Sequence, residues 1–178
     1  VVKKKEWYYQ GKIKISKCDQ EINYRSGWER DVALLFEHDT EIIKVEYETL
    51  RIPYISNKKT KRIKIYLPDF LIVFKNGNKK IIEIKRDDRV KTKIVIAKAL
   101  AAKKYIENNL TNTDYEIWTK KDIEQYKTKL GVSLQKKVQF KKATATHKKK
   151  KIIRTNKPIQ PRQELLLEMY KKCSKKKK

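Results

Sequence analysis

With 178 residues, 38% of them charged and 39% hydrophobic, the chain suits one compact domain with extensions rather than two full domains. Its 47 Lys and Arg against 21 Asp and Glu give a net charge of +26, a field that attracts polyanions, nucleic acid first among them. The absence of a long apolar run or lipidation motif argues against a membrane partner, and Cys18, Cys173, His38 and His147 lack zinc-ligand spacing or a secreted disulfide pattern.

The charge is uneven but not confined to one end. Residues 136–178 hold 17 Lys and Arg against two Glu, while residues 1–135 hold 30 against 19. No signal peptide is visible, although the chain begins at Val1 rather than Met. The expectation is a protein that is not secreted, with free thiols in a reducing compartment.

Residues 1–24 read as a basic, aromatic arm with Trp7, Tyr8 and Tyr9, suited to packing on the domain or to stacking on nucleic acid. A core is expected over 25–130. Ser26 opens a helix in which Trp28, Val32, Leu35 and Phe36 recur at helical spacing, and Glu29 stands at the capping-box position. Glu29 thus has a structural role available, and a metal-site role stays open beside it. The helix ends near His38 to Thr40.

From Glu41 to Ile55 the pattern is β-branched and strand-like, with Pro53 marking an edge or a strand end. A polar turn at 57–61 leads into Arg62–Tyr66, where basic and apolar residues alternate. Tyr66 to Lys85 then reads as an apolar hairpin around Asn76-Gly77-Asn78, interrupted by Asp69, Glu83 and Lys85. With a three-residue turn of Asn76 to Asn78, Asp69 falls opposite Lys85, Leu71 faces Glu83, and the three charges share one side. A two-residue turn puts Asp69 on the other side from Glu83. Together they suit a magnesium and water-activating site, whereas the plain alternative is a hairpin with ordinary surface charges.

After a polar junction at 86–89, Val90, Ile94, Ala97, Ala101, Tyr105 and Ile106 predict a helix through Leu110. Tyr115–Trp118 predicts a short strand, and Thr119–Leu130 a last helix with Thr119 and Asp122 at capping-box spacing. The order α, β, β, β, α, β, α predicts an α/β fold, a mixed sheet flanked by helices. Residues 131–178 form a Lys-rich tail with one short helical pattern near 162–172, Leu165, Leu166, Met169 and Tyr170.

Element order and spaced charges resemble the PD-(D/E)xK nuclease superfamily through Pro68-Asp69, Glu83-Ile84-Lys85 and the upstream Glu29. Within it the chain resembles the TnsA-like branch, and there most closely the head-completion nucleases of tailed phages. That likeness is carried by Tyr24-Arg25-Ser26-Gly27-Trp28-Glu29, Ile52-Pro53-Tyr54, Leu67-Pro68-Asp69-Phe70 and Ile82-Glu83-Ile84-Lys85, over about residues 6–125. It implies a restriction-endonuclease-like αβββαβ core with a basic C-terminal extension. It further implies Mg²⁺-dependent DNA hydrolysis, with Mn²⁺ able to substitute. On the same ground Asp69, Glu83 and Glu29 would be the metal ligands, with Lys85 as the catalytic lysine.

Phosphate contacts would come from Arg25, Arg62, Lys64, Arg86, Lys148, Lys149 and Lys150. The partners implied are double-stranded DNA and phage head, portal or neck proteins, in the host cytoplasm during assembly or in the virion. Two departures stand out. Tyr66-Leu67 precedes Pro68 where an Arg-Tyr pair is common, and Glu83 fills a position that is not always acidic in TnsA-like sequences. The competing readings are a non-catalytic virion protein that uses the tail as a clamp, and a TnsA-like or homing nuclease with a defined cut site.

Overall fold

A computed structural model of the chain describes residues 10–57 and 59–134. Trp7, Tyr8, Tyr9, the tail lysines Lys148 to Lys150 and the helical pattern at 162–172 lie outside the described residues. Contacts divide the chain into two units after Leu134, and every described helix and strand belongs to the first.

The chain opens with a small antiparallel pair, β1 (Gly11–Ile13) and β2 (Ile22–Tyr24). Ile15, Cys18, Ile22 and Tyr24 are buried, so this stretch contributes to the core instead of standing off it as an arm. Helix α1 (Gly27–His38) starts where the sequence predicts: Ser26 is the N-cap, and its Oγ accepts from the Glu29 N–H at 3.2 Å. Val32, Ala33, Leu35 and Phe36 form its buried face.

The predicted strand over 41–55 is two strands in two different sheets, β3 (Ile42–Tyr47) and β4 (Ile52–Asn57). The break falls at Glu48, whose φ of 51° lies in the left-handed region that ends a strand. There the Glu48 N–H donates to the Asp69 carbonyl at 3.1 Å. β4 pairs only with β5 (Arg62–Tyr66), with Pro53 opposite Ile65. Both strands of so small a sheet are edges, which is where proline is tolerated.

The central sheet has the order β3-β6-β7-β8, built with β6 (Phe70–Phe74), β7 (Lys79–Ile84) and β8 (Thr113–Trp118). The first two pairings are antiparallel, and β7 with β8 is parallel. That parallel pair needs a crossover, supplied by α2 (Asp87–Val90) and α3 (Lys93–Asn109). The single helix expected from Val90 is therefore broken at Lys91–Thr92. Its packed face overlaps the expected one: Ala97, Ala101 and Tyr105 pack on the sheet and Val95 and Ala102 are buried beside them, while Ile94 is 54% exposed. The last helix, α4 (Lys120–Leu130), begins at Thr119, whose N–H and hydroxyl both donate to Asp122 at 2.8 Å. The whole is a mixed sheet between helices, consistent with a restriction-endonuclease-like fold.

Two apolar clusters cover the sheet. On one side α1, α4 and the β1–β2 pair enclose Phe70, Ile72, Ile82, Ile84 and Trp118. On the other, Ala97, Ala101 and Ala102 of α3 let the helix lie close to Ile52, Tyr54, Tyr66 and Tyr115. Phe36 is the hub of the first cluster, with ring centroids 5.4 Å from Phe70, 5.8 Å from Trp118 and 6.1 Å from Tyr126, all edge-on. Phe36→Ala is expected to cost about 3–5 kcal/mol in urea unfolding of the chain.

Candidate active site

The hairpin register decides which charged groups meet. Phe70 pairs with Ile82, Leu71 with Ile81 and Val73 with Lys79, so the turn is Lys75-Asn76-Gly77 and not Asn76 to Asn78. Gly77 sits at φ +82°, and the Asn78 N–H donates to Asn76 Oδ1 at 3.0 Å, which tightens the turn. The turn keeps the odd length but starts one residue early, and the pairing slides by two. Leu71 therefore faces Ile81 instead of Glu83, and continuing the ladder sets Asp69 opposite Glu83 instead of Lys85. A slide of two preserves the face. Asp69, Glu83 and Lys85 stay on the α3 side of the sheet.

Glu83 is the more deeply enclosed, at 1% exposure. Its Oε1 lies 2.6 Å from Lys85 Nζ and 3.7 Å from Lys98 Nζ, and its Oε2 accepts from the Tyr66 hydroxyl at 2.9 Å. The Tyr66 hydroxyl is also 3.2 Å from that of Tyr115. Asp69 keeps some contact with solvent, and its Oδ2 accepts the Ile84 N–H at 2.7 Å. Desolvation, then the neighbouring charge of Glu83, push the Asp69 carboxyl up to about 7, against the opposing pull of Lys85 and the Ile84 amide. Burial works against the Lys85 ammonium, but Asp69, Glu83 and Glu29 outweigh it and raise its pKa. The same ammonium donates to the Ile84 carbonyl at 2.9 Å.

Glu29 stands apart from this group. Its Oε1 accepts from Ser26 Oγ at 2.9 Å and its Oε2 from the Arg25 N–H at 2.8 Å, so both oxygens hold the start of α1. Its charge still acts on Asp69 and Lys85, and it helps push the Tyr47 phenol up to about 12, mainly an effect of burial. Among the expected phosphate contacts, Arg25 pairs with Glu48 and Arg86 with Asp88 at 3.1 Å. Arg62 and Lys64 lie exposed on β5.

Among the described residues, no three Asp, Glu, His or Cys side chains converge closely enough to hold a metal by themselves. Magnesium rarely needs that many, because it keeps several waters and binds through one or two carboxylates with substrate phosphates. Asp69 and Glu83 fit that smaller demand. Two hard-oxygen donors share a partly desolvated pocket, where burial and then the neighbouring Glu83 charge raise the proton affinity of Asp69.

Tyr66, Lys98 and Tyr115 went unassigned in the sequence, although Lys98 carried a signal. It lies on the stripe of Val95 and Ala102, three residues from one and four from the other, where a lysine among buried neighbours needs a partner.

The chain is thus an α/β domain whose mixed sheet carries a pair of acidic groups beside a lysine. Residues 39–120 match the family model described as TnsA-like endonuclease N terminal. The match spans β3 to the start of α4, including Asp69, Glu83, Lys85 and Lys98, and leaves Glu29 outside. It supports the TnsA-like nuclease branch for that segment. No curated protein matches the chain.

The raised pKa of Asp69 has a stability consequence. Below about pH 4 folded and unfolded chains both hold the proton, whereas between about pH 4 and 7 the folded chain binds it more tightly, so stability falls as pH rises. Asp69→Asn keeps an acceptor for the Ile84 amide. In chelator-containing buffer it is expected to stabilise the chain by on the order of 1–3 kcal/mol at pH 8 and by little at pH 4, as read by urea unfolding at both.

Proposed function

We propose that the chain is a metal-dependent deoxyribonuclease of the TnsA-like branch that hydrolyses phosphodiesters of double-stranded DNA. The observation that carries this reading is the meeting of Asp69, Glu83 and Lys85 on one face of the sheet, inside the segment that matches the endonuclease family. Asp69 and Glu83 would hold the ion, Mg²⁺ with Mn²⁺ as a substitute, and Glu29 would contribute through its charge or through water. When bound, such an ion polarises the phosphate and makes a coordinated water more acidic.

The chain's own groups do the rest. Lys85 presents an ammonium beside the carboxylates, where it offsets charge building on the phosphorus oxygens as water attacks and the bridging P–O bond breaks. Tyr66 holds Glu83 by its second oxygen, which fixes the carboxylate's direction. Arg62 and Lys64 contact the phosphate backbone without reading bases, so cleavage follows the form of the DNA, such as its ends or junctions. The finer reading is end trimming by a phage head-completion nuclease, at work in the host cytoplasm or on the virion. It rests on the likeness along Tyr24–Glu29, Ile52–Tyr54 and Leu67–Phe70, and the head and neck proteins would then be its partners.

A second reading has one observation in its favour. Glu83 is already neutralised by Lys85, Lys98 and Tyr66, so the site is complete as a structural ion cluster without a metal. A non-catalytic DNA-binding component would look the same at this point. A TnsA-like or homing nuclease acting with a partner would differ by leaving a defined cut on long DNA.

The wild-type chain is expected to cleave double-stranded DNA with Mg²⁺ or Mn²⁺ and to stop on chelation, while Asp69→Ala and Lys85→Ala lose cleavage by at least about 100-fold and stay folded. Equal cleavage by wild type and Asp69→Ala would refute the site, and unchanged DNA binding with no turnover in any metal would favour the scaffold. Replacing Arg62 and Lys64 by Ser is expected to weaken DNA binding in fluorescence anisotropy and to lower the salt slope by about 1 per cation removed.

A further inference from the structure

We propose that Lys98 is a positioning residue that, together with Tyr66, holds the Glu83 carboxylate in place while Lys85 serves the substrate. The inference rests on the nuclease reading and assigns different tasks to the two lysines of the cluster.

The starting point is a charge that has almost no access to water. Glu83 is 1% exposed, and a buried charge needs paired, hydrogen-bonding partners to be held there. Lys85 is its nearer partner at 2.6 Å, and it also donates to the Ile84 carbonyl. Those bonds hold the ammonium against the strand. To act on a phosphate it must exchange at least one of them, which loosens its hold on Glu83.

Lys98 removes that conflict. Its ammonium lies 3.7 Å from the same Oε1 and 4.6 Å from the centre of the Tyr66 ring, the ring whose hydroxyl binds the other oxygen of Glu83. The aromatic face attracts the cation and fixes its height above the strand. The side chain is 24% exposed, and it projects from a helix whose alanines 97, 101 and 102 bring the backbone close to β4 and β8. Lys98 thus meets Oε1 from the helix, while Tyr66, whose hydroxyl lies 3.2 Å from that of Tyr115, holds Oε2.

Asp69 is the other carboxylate that Lys85 faces. Lys85 thus serves both carboxylates from the end of the strand, whereas Lys98 meets Glu83 from the helix.

The test uses the full chain with Lys98→Met, which keeps the unbranched stem without charge, and Lys98→Arg, which keeps the charge. With Mg²⁺ and double-stranded DNA, Lys98→Met is expected to lower kcat roughly 10–100-fold with KM for DNA nearly unchanged, and Lys98→Arg to recover most of the loss. A raised KM with kcat intact would make Lys98 a DNA contact and overturn the assignment.

A second measurement does not depend on activity. In chelator-containing buffer, Lys98→Met is expected to lower Tm by several degrees when Glu83 is present and by little in a Glu83→Gln background. Equal shifts in both backgrounds would sink the pairing. A wild type that cuts no DNA under any metal, with the coupling intact, would remove the nuclease reading and the catalytic role with it. A cutting wild type with no coupling would remove only Lys98.

Discussion

Burial of one carboxylate sets the terms for the rest of the molecule. Glu83 lies in the middle of the sheet at 1% exposure, where an uncompensated charge is far more expensive than the single interactions that hold small domains together. The fold surrounds it from three elements: Tyr66 from β5, Lys85 just beyond the end of β7, and Lys98 from α3. The separate β4–β5 hairpin carries Tyr66 to the α3 side of the sheet.

The two faces of the sheet therefore have different duties. The face under α1 and α4 is an aromatic core, with Phe36 against Phe70, Trp118 and Tyr126, and its stability comes from area and shape. The face under α3 is built around ion pairs and hydroxyls, and much of its apolar area is alanine and tyrosine. Asp69 lies on this second side, where loss of water and then the neighbouring charge of Glu83 raise its proton affinity.

Much of this was legible in the chain. The cap at Ser26, the turn glycine, the mixed sheet and the grouping of Asp69, Glu83 and Lys85 follow from spacing and residue type. What was not legible depended on distant contacts. Glu48 breaks a run of β-branched residues because its amide serves the Asp69 carbonyl, a contact twenty-one residues away in sequence. On α3 the alanines and Tyr105 of the expected face pack on the sheet, while Ile94 stays exposed because the close approach to β4 leaves room for alanine. Tyr66 read as a strand residue among others, since nothing local says that its hydroxyl ends at a carboxylate on β7. Glu29 had two roles open in the sequence. The structure gives its oxygens to the helix start, with an electrostatic influence on the acidic pair.

The turn at Lys75-Asn76-Gly77 has a further consequence for how such a chain can change over time. Side chains on paired strands repeat every second residue, so a slip of one residue in the pairing would turn one strand over and exchange its acidic and apolar sides. The pairs Phe70–Ile82 and Leu71–Ile81 in the hairpin hold the register against that slip. An inserted residue can instead be taken up in a longer loop, with Asp69 still opposite Glu83, so the connector is free to vary in length as long as those apolar partners are kept.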